Sequence, residues 1–175
     1  MKRGQMTITV TRASGERTRG VLRYSRRAHP VALGRAGIKV NKFEGDGSTP
    51  RGRFRPLRLW WRADRMPRPK TSLPVRRITK DDAWCENPLD RRYNRPFKLA
   101  NGASGDRLWR DDHLYDLIVE IDHNTRPRVA KRGSAVFVHL ARAGLKPTAG
   151  CIAMPLGELK RLVARLDRNS VIQIV

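Results

Sequence analysis

Residues 134–154 read SAVFVHLARAGLKPTAGCIAM: an apolar run, a punctuated loop, and a cysteine set directly behind a glycine. Ala135, Val136, Phe137 and Val138 follow one another without polar alternation, as in a strand buried on both faces. Residues 115–121 repeat the pattern through Leu117, Ile118 and Val119, so both segments are expected as central strands. The loop at 141–150 then leads to Cys151. Beyond it, Pro155 stands where a first helical residue would, and Leu156, Leu159, Leu162, Val163 and Leu166 recur at helical spacing. Lys160, Arg161 and Arg165 occupy the other face of that helix. The expected class is mainly β with one clear helix, built as a sandwich or a barrel-like sheet.

Outward from this stretch the punctuation sets the remaining elements. Thr7 to Thr11 alternates apolar and polar residues, Gly15 can turn the chain, and the run from Gly20 to Tyr24 resumes the extended pattern, which predicts an opening hairpin. A short run at 30–33 leads into Gly34, Gly37, Gly45, Gly47, Pro50 and Gly52, too many breakers for a helix and read as a structured loop. Residues 54–61 are strand-like, whereas 62–74 hold three prolines. Residues 79–110 mix Trp84, Cys85, Tyr93 and Trp109 with Asn, Gly and Asp at no sustained period, and are expected to form an irregular folded insertion. The end of the chain, 170–175, reads as a last strand. No repeat, low-complexity segment or linker divides the chain, so its 175 residues are expected to form a single domain, 1–175.

The formal net charge of +22 comes from arginines and lysines spread along the chain rather than from a tail. Such a field favours acidic partners, whether nucleic acid, anionic glycan or membrane surface, and identifies no chemistry. No helix-turn-helix, RNP or zinc-finger pattern accompanies it. No stretch approaches the roughly 20 apolar residues of a membrane-spanning helix. The start, Met1-Lys2-Arg3-Gly4-Gln5-Met6, is basic, but the alternating residues after it lack the apolar core of a signal peptide. As written, the chain is expected in the cytoplasm; export, or a misassigned start site, would place it in the periplasm or cell wall.

Cys85 and Cys151 show no zinc-ligand spacing, so no structural zinc site is expected. Cys151 sits between a loop and the predicted helix, where a neighbouring glycine permits close approach of a substrate. His139, twelve positions earlier, ends a buried strand, and one returning loop can bring imidazole and thiol together. An adjacent imidazole raises the thiolate fraction and can protonate a leaving amine. Spacing alone does not separate this pair from a core cysteine and a satisfied strand histidine, and on generic grounds that plainer reading leads. His113 and His123 can line a cleft or sit in turns, and Trp84 and Tyr93 can stack on a ligand or pack in the core. A disulfide between Cys85 and Cys151 would remove the nucleophile.

Two motifs shift this balance. Val138-His139, followed by Lys146-Pro147-Thr148-Ala149-Gly150-Cys151, resembles the active-site motif of the L,D-transpeptidase catalytic-domain (YkuD-like) family: a histidine, a loop, then Ser/Thr-His-Gly-Cys. Upstream, Thr49-Pro50-Arg51-Gly52-Arg53-Phe54 resembles the family's Thr-Pro-x-Gly-x-Phe element, in the family's order and about ninety residues away. Three departures stand out. Ala149 replaces the usual histidine, Ala153 stands where Arg or Asn is common, and the loop between His139 and Cys151 is shorter.

The resemblance implies that Cys151 is the nucleophile and His139 the base. Gly150, Ala149 and Cys151 would offer backbone N–H groups to an oxyanion, and Thr148 would hold the loop or the substrate. The implied donor is the tetrapeptide stem of peptidoglycan, attacked at its third residue with release of D-alanine and then cross-linked, and the resemblance implies no metal or organic cofactor. Resolution of the same thioester by water would make an L,D-carboxypeptidase acting on muropeptides. A reading of another class, a non-catalytic basic module binding wall polymer or nucleic acid, predicts a silent Cys151→Ala change and steep salt dependence.

Overall fold

The computed structural model describes residues 5–100 and 103–175; the basic start Met1–Gly4 and residues 101–102 of the insertion lie outside them. The alternating first segment forms β1 (Thr7–Ala13) and β2 (Glu16–Tyr24), antiparallel partners joined at Gly15, whose φ of 74° suits a residue without Cβ. β3 (Arg27–Ala32) pairs with β2. The glycine-rich stretch is a loop pinched by the parallel pair β4 (Ile38–Lys39) and β5 (Thr49–Pro50). The run at 54–61 divides into β6 (Gly52–Phe54) and β7 (Pro56–Trp61), because Pro56 cannot donate a ladder bond and the N–H of Arg55 turns to Asp122 Oδ1 at 2.7 Å. β8 (Val75–Arg77) follows and pairs with β7.

The insertion is more ordered than its sequence suggests: β9 (Asp82–Trp84) lies between β10 (Pro96–Lys98) and β11 (Asp106–Arg107) in a small antiparallel sheet. The two central strands are β12 (Leu117–Ile121) and β13 (Phe137–Leu140). β13 starts three residues later than expected, since Ala135 adopts a φ of 50° that no strand accommodates. Residues after the cysteine form β14 (Ile152–Met154), which was not anticipated as a strand. Pro155 caps α1 (Leu156–Val163) from an extended conformation, one position outside the helix, and β15 (Val171–Ile174) closes the chain.

Ten strands make one mixed sheet in the order β6-β15-β1-β2-β3-β14-β13-β12-β7-β8. Phe54 of β6 and Val75 of β8, at opposite ends of this order, pack against the same apolar core as Ile8, Leu22, Val138 and Leu162. The sheet is therefore rolled around that core, with α1 contributing its buried Leu159, Leu162 and Val163. A second core on the other face joins Trp60, Ile118 and Phe137 to Trp84 and Leu108 of the insertion. Every residue of β12, β13 and β14 is buried, Glu120 and His139 among them, whereas β1 alternates buried and accessible positions.

Candidate active site

His139 and Cys151 meet because β13 and β14 are adjacent parallel strands, with Val138 opposite Ile152 and His139 opposite Ala153. Alternation along each strand sends Val138, Leu140, Ile152 and Met154 into the first core. His139 and Ala153 face the other way, where Cys151, Ala135 and Phe137 belong to the second core. A lateral spacing of about 4.8 Å and a two-residue offset of about 6.6 Å put the two Cα atoms roughly 8 Å apart, a gap an imidazole spans. Both side chains line one cavity of about 500 Å³, together with Thr148, Ala149, Gly150 and Ala153.

The pair is nearly sealed, His139 being 5% and Cys151 7% exposed. The thiol donates to Ala135 O at 3.1 Å and accepts the Phe137 N–H at 3.3 Å. Burial pushes its pKa up to about 12, although the Phe137 N–H and the Lys42 ammonium pull it down. Burial likewise lowers His139 to about 4, with Arg110 and Arg142 adding to the effect. The resting pair is thus a thiol and a neutral imidazole. His139 Nδ1 lies 2.8 Å from Leu140 O, and since a carbonyl only accepts, Nδ1 carries the proton and Nε2 the lone pair. Nε2 has no partner among the described residues, yet unlike His29 Nε2 it is not closed off from solvent. That is the tautomer a general base needs.

The Thr148 hydroxyl is engaged within the loop. It donates to Cys151 O at 2.7 Å and accepts the Gly150 N–H at 3.1 Å. The same residue is tied to the glycine-rich loop through Thr148 N–H to Leu33 O and Arg35 N–H to Thr148 O, at 2.9 and 3.0 Å. This corrects one expectation: the Gly150 N–H is engaged within the loop and is not a free oxyanion donor, whereas Ala149 N–H makes no hydrogen bond among the described residues. Gly150 is needed for another reason. Its φ is 148°, and a Cβ there would stand 2.8 Å from Ser48 O. Ser48 precedes the Thr49-Pro50 motif, so the two motifs touch in space.

Several cavity residues carried no signal in the sequence. Lys42 and Glu44 come from the glycine-rich loop, Glu86 and Asp106 from the insertion, and Tyr115 from the approach to β12. Tyr115 donates to Asp106 Oδ2 at 2.8 Å and sets its ring edge against His139, centroids 5.2 Å apart. Glu86 is exposed as a residue, yet desolvation of its carboxylate inside the cavity and the neighbouring Asp106 and Glu44 carboxylates push its pKa up to about 7. The remaining candidates lie elsewhere. His123 bonds Arg132 O at 3.1 Å, and His113 pairs with Asp116 at 2.7 Å beside a different cavity. Trp84 packs on Phe137 and donates to Asn94, and Tyr93 donates to Glu44. Cys85 and Cys151 are separate free thiols, so the disulfide does not form.

Among the described residues no group of three or more His, Cys, Asp or Glu is placed to hold a metal ion, and no helix is long and apolar enough to cross a membrane. A family model described as the L,D-transpeptidase catalytic domain (YkuD) matches residues 7–174. No curated protein and no solved structure matches the chain.

Proposed function

The chain belongs to the L,D-transpeptidase catalytic-domain family, and from that premise we propose that it is a cysteine acyltransferase cross-linking peptidoglycan stem tetrapeptides. The observation that carries this reading is a free thiol and an imidazole with its Nε2 lone pair open to the same cavity. In the proposed cycle the Cys151 proton passes to His139 Nε2 as sulfur attacks the carbonyl carbon of the third stem residue. The tetrahedral oxyanion collapses, the C–N bond to D-alanine breaks, and the imidazolium returns its proton to the leaving amine. A thioester remains. The amine of a second stem then attacks that carbonyl, gives its proton to His139, and expels the sulfur, which recovers the proton as the new amide forms.

The Nδ1 bond to Leu140 O keeps the ring oriented through both halves of the cycle. Ala149 N–H is the donor best placed for the oxyanion, next to the thiol and otherwise unengaged. Because burial raises the thiol and lowers the imidazole, bare proton transfer between them is uphill. The negative charge on sulfur and oxygen must therefore be met by positive groups as it develops.

The test is incubation of the reduced protein and its Cys151→Ala variant with a disaccharide-tetrapeptide muropeptide, products being read by mass spectrometry. Expected are D-alanine and cross-linked dimers that depend on Cys151. Tripeptide without dimers would replace transpeptidation by L,D-carboxypeptidase action. A folded, reduced sample that does nothing would sink the catalytic reading in favour of a basic module that binds polyanions. Cross-linking of intact wall requires delivery outside the cytoplasm, which we propose as the working compartment, and fractionation checks it.

A further inference from the structure

Lys42 is the buried cation of the cavity. Lys42 is 6% exposed, whereas Arg35, Arg142 and Lys146 reach the same cavity from exposed positions where solvent and salt screen them. Arg110 is only partly buried and is held by Asp112 at 2.9 and 2.5 Å. The Lys42 ammonium donates to Ser48 O at 2.8 Å and to Asp46 Oδ1 at 3.1 Å, which leaves one of its three N–H groups over. Asp46 is itself fixed by the Phe43 and Ser48 N–H groups at 3.0 and 2.8 Å.

Two glycines clear the way for this side chain. A Cβ on Gly133 would stand 2.8 Å from Lys42 Cε, and one on Gly150 would stand 3.1 Å from Lys42 Nζ. Both glycines have positive φ, 95° and 148°, so the backbone on either side of the stem is shaped around it. A buried ammonium persists only when paired, and Asp46 meets that need. The pairing does not explain why the ammonium is carried close to Gly150 and into the lining of the cavity that Cys151 shares. The neighbouring motif position, Ala149, contributes a methyl group and no charge.

We propose that Lys42 supplies the fixed positive charge that stabilises the anions formed at Cys151, the thiolate and the tetrahedral oxyanion. The proposal rests on the acyltransferase reading for the oxyanion, but its effect on the thiolate exists without any peptidoglycan substrate. It is tested by the pH dependence of Cys151 alkylation by iodoacetamide, resolved from Cys85 by peptide mass spectrometry, in the wild type, K42M and D46N. Loss of the cation is expected to raise the alkylation midpoint by about one pH unit. At a fixed pH below the midpoint, K42M then reacts roughly 3- to 10-fold more slowly, the smaller figure allowing for the greater nucleophilicity of a more basic thiolate.

D46N removes the counter-charge and leaves the ammonium, so its midpoint is expected to fall. A merely structural Lys42 would not produce shifts of opposite sign. A folded K42M with the wild-type midpoint, or a D46N shift in the same direction as K42M, overturns the proposal. Should K42M not fold, D46N decides alone, an unchanged or raised midpoint being fatal. Normal shifts in a protein that turns over no muropeptide would sink the transpeptidase reading and leave the electrostatic one standing.

Discussion

On one face of β12 to β14, Val119, Val138, Ile152 and Met154 are fully buried against Leu159 and Leu162 of α1. On the other, Ile118, Phe137 and Cys151 pack against Trp84 and Leu108 of the insertion, and there the apolar layer ends in a cavity with Glu86, Asp106 and Lys42 in its wall. The first face is closed and can only stabilise. The second has the same strand backbone behind it but leaves space for a ligand, and burial of the two side chains there is what raises the Cys151 pKa and lowers that of His139. Burial on one face only stabilises, and on the other it also shifts the pKa values of Cys151 and His139.

Substitutions on the two faces should separate stability from activity. Cys151→Ala is expected to remove turnover by at least about a thousandfold while unfolding midpoints stay within about 1 kcal/mol of wild type. Turnover that survives this change breaks the comparison. Leu162→Ala, on the closed face, should cost about 3 kcal/mol in denaturant unfolding, with the folded fraction retaining its rate constant within about twofold.

Gly150→Ala joins both effects, since its new methyl meets Ser48 O: a loss of about 2 kcal/mol is expected together with a larger fall in turnover than Leu162→Ala causes. Thr148→Val removes the hydroxyl that holds Cys151 O and Gly150 N–H, for about 1 kcal/mol of stability and roughly a tenfold loss of rate. Equal rates in Thr148→Val and wild type would show that the loop is held by Leu33 and Arg35 alone.

A change of pH probes the same contrast without a substitution. His139 and His123 are both lowered from 6.5 to about 4 by burial, so between those values the unfolded chain binds more protons than the folded one. Their contribution is complete above about 6.5 and is lost as pH falls towards 4. Glu86 acts oppositely: raised from 4.5 to about 7, it contributes below 4.5 and loses that contribution as pH rises through 7. Thermal melts across this window should therefore be shallower in wild type than in Glu86→Gln, and shallower still in His123→Gln. Cys151 adds a loss on the alkaline side, between 9 and about 12, that Cys151→Ala should abolish.

Much of the frame was legible in the residues. The unbroken runs at 117–119 and 135–138 announced strands buried on both faces, and the leucine spacing after Pro155 announced α1, because burial on a strand or helix leaves a periodic trace in the chain itself. The motifs around His139, Cys151 and Thr49 marked the site by resemblance. β14 escaped notice: three residues are too short for a period, and they form a strand only because β3 and β13 lie on either side. The insertion escaped for a related reason, its short strands being held by Trp84 and Leu108 in the second core.

The sequence by itself determined the mainly β class with its helix, the buried character of the central strands and the pairing of a glycine with a cysteine after a strand histidine. Only the tertiary structure decided that β14 lies parallel to β13 in a register that turns His139 and Cys151 to one face. It also decided that Thr148 takes up the Gly150 N–H, and that Lys42, Glu86 and Asp106 share the cavity. Periodicity is a local property, written within a few residues, whereas the wall of a cavity is assembled from segments whose meeting depends on the order of strands in the sheet.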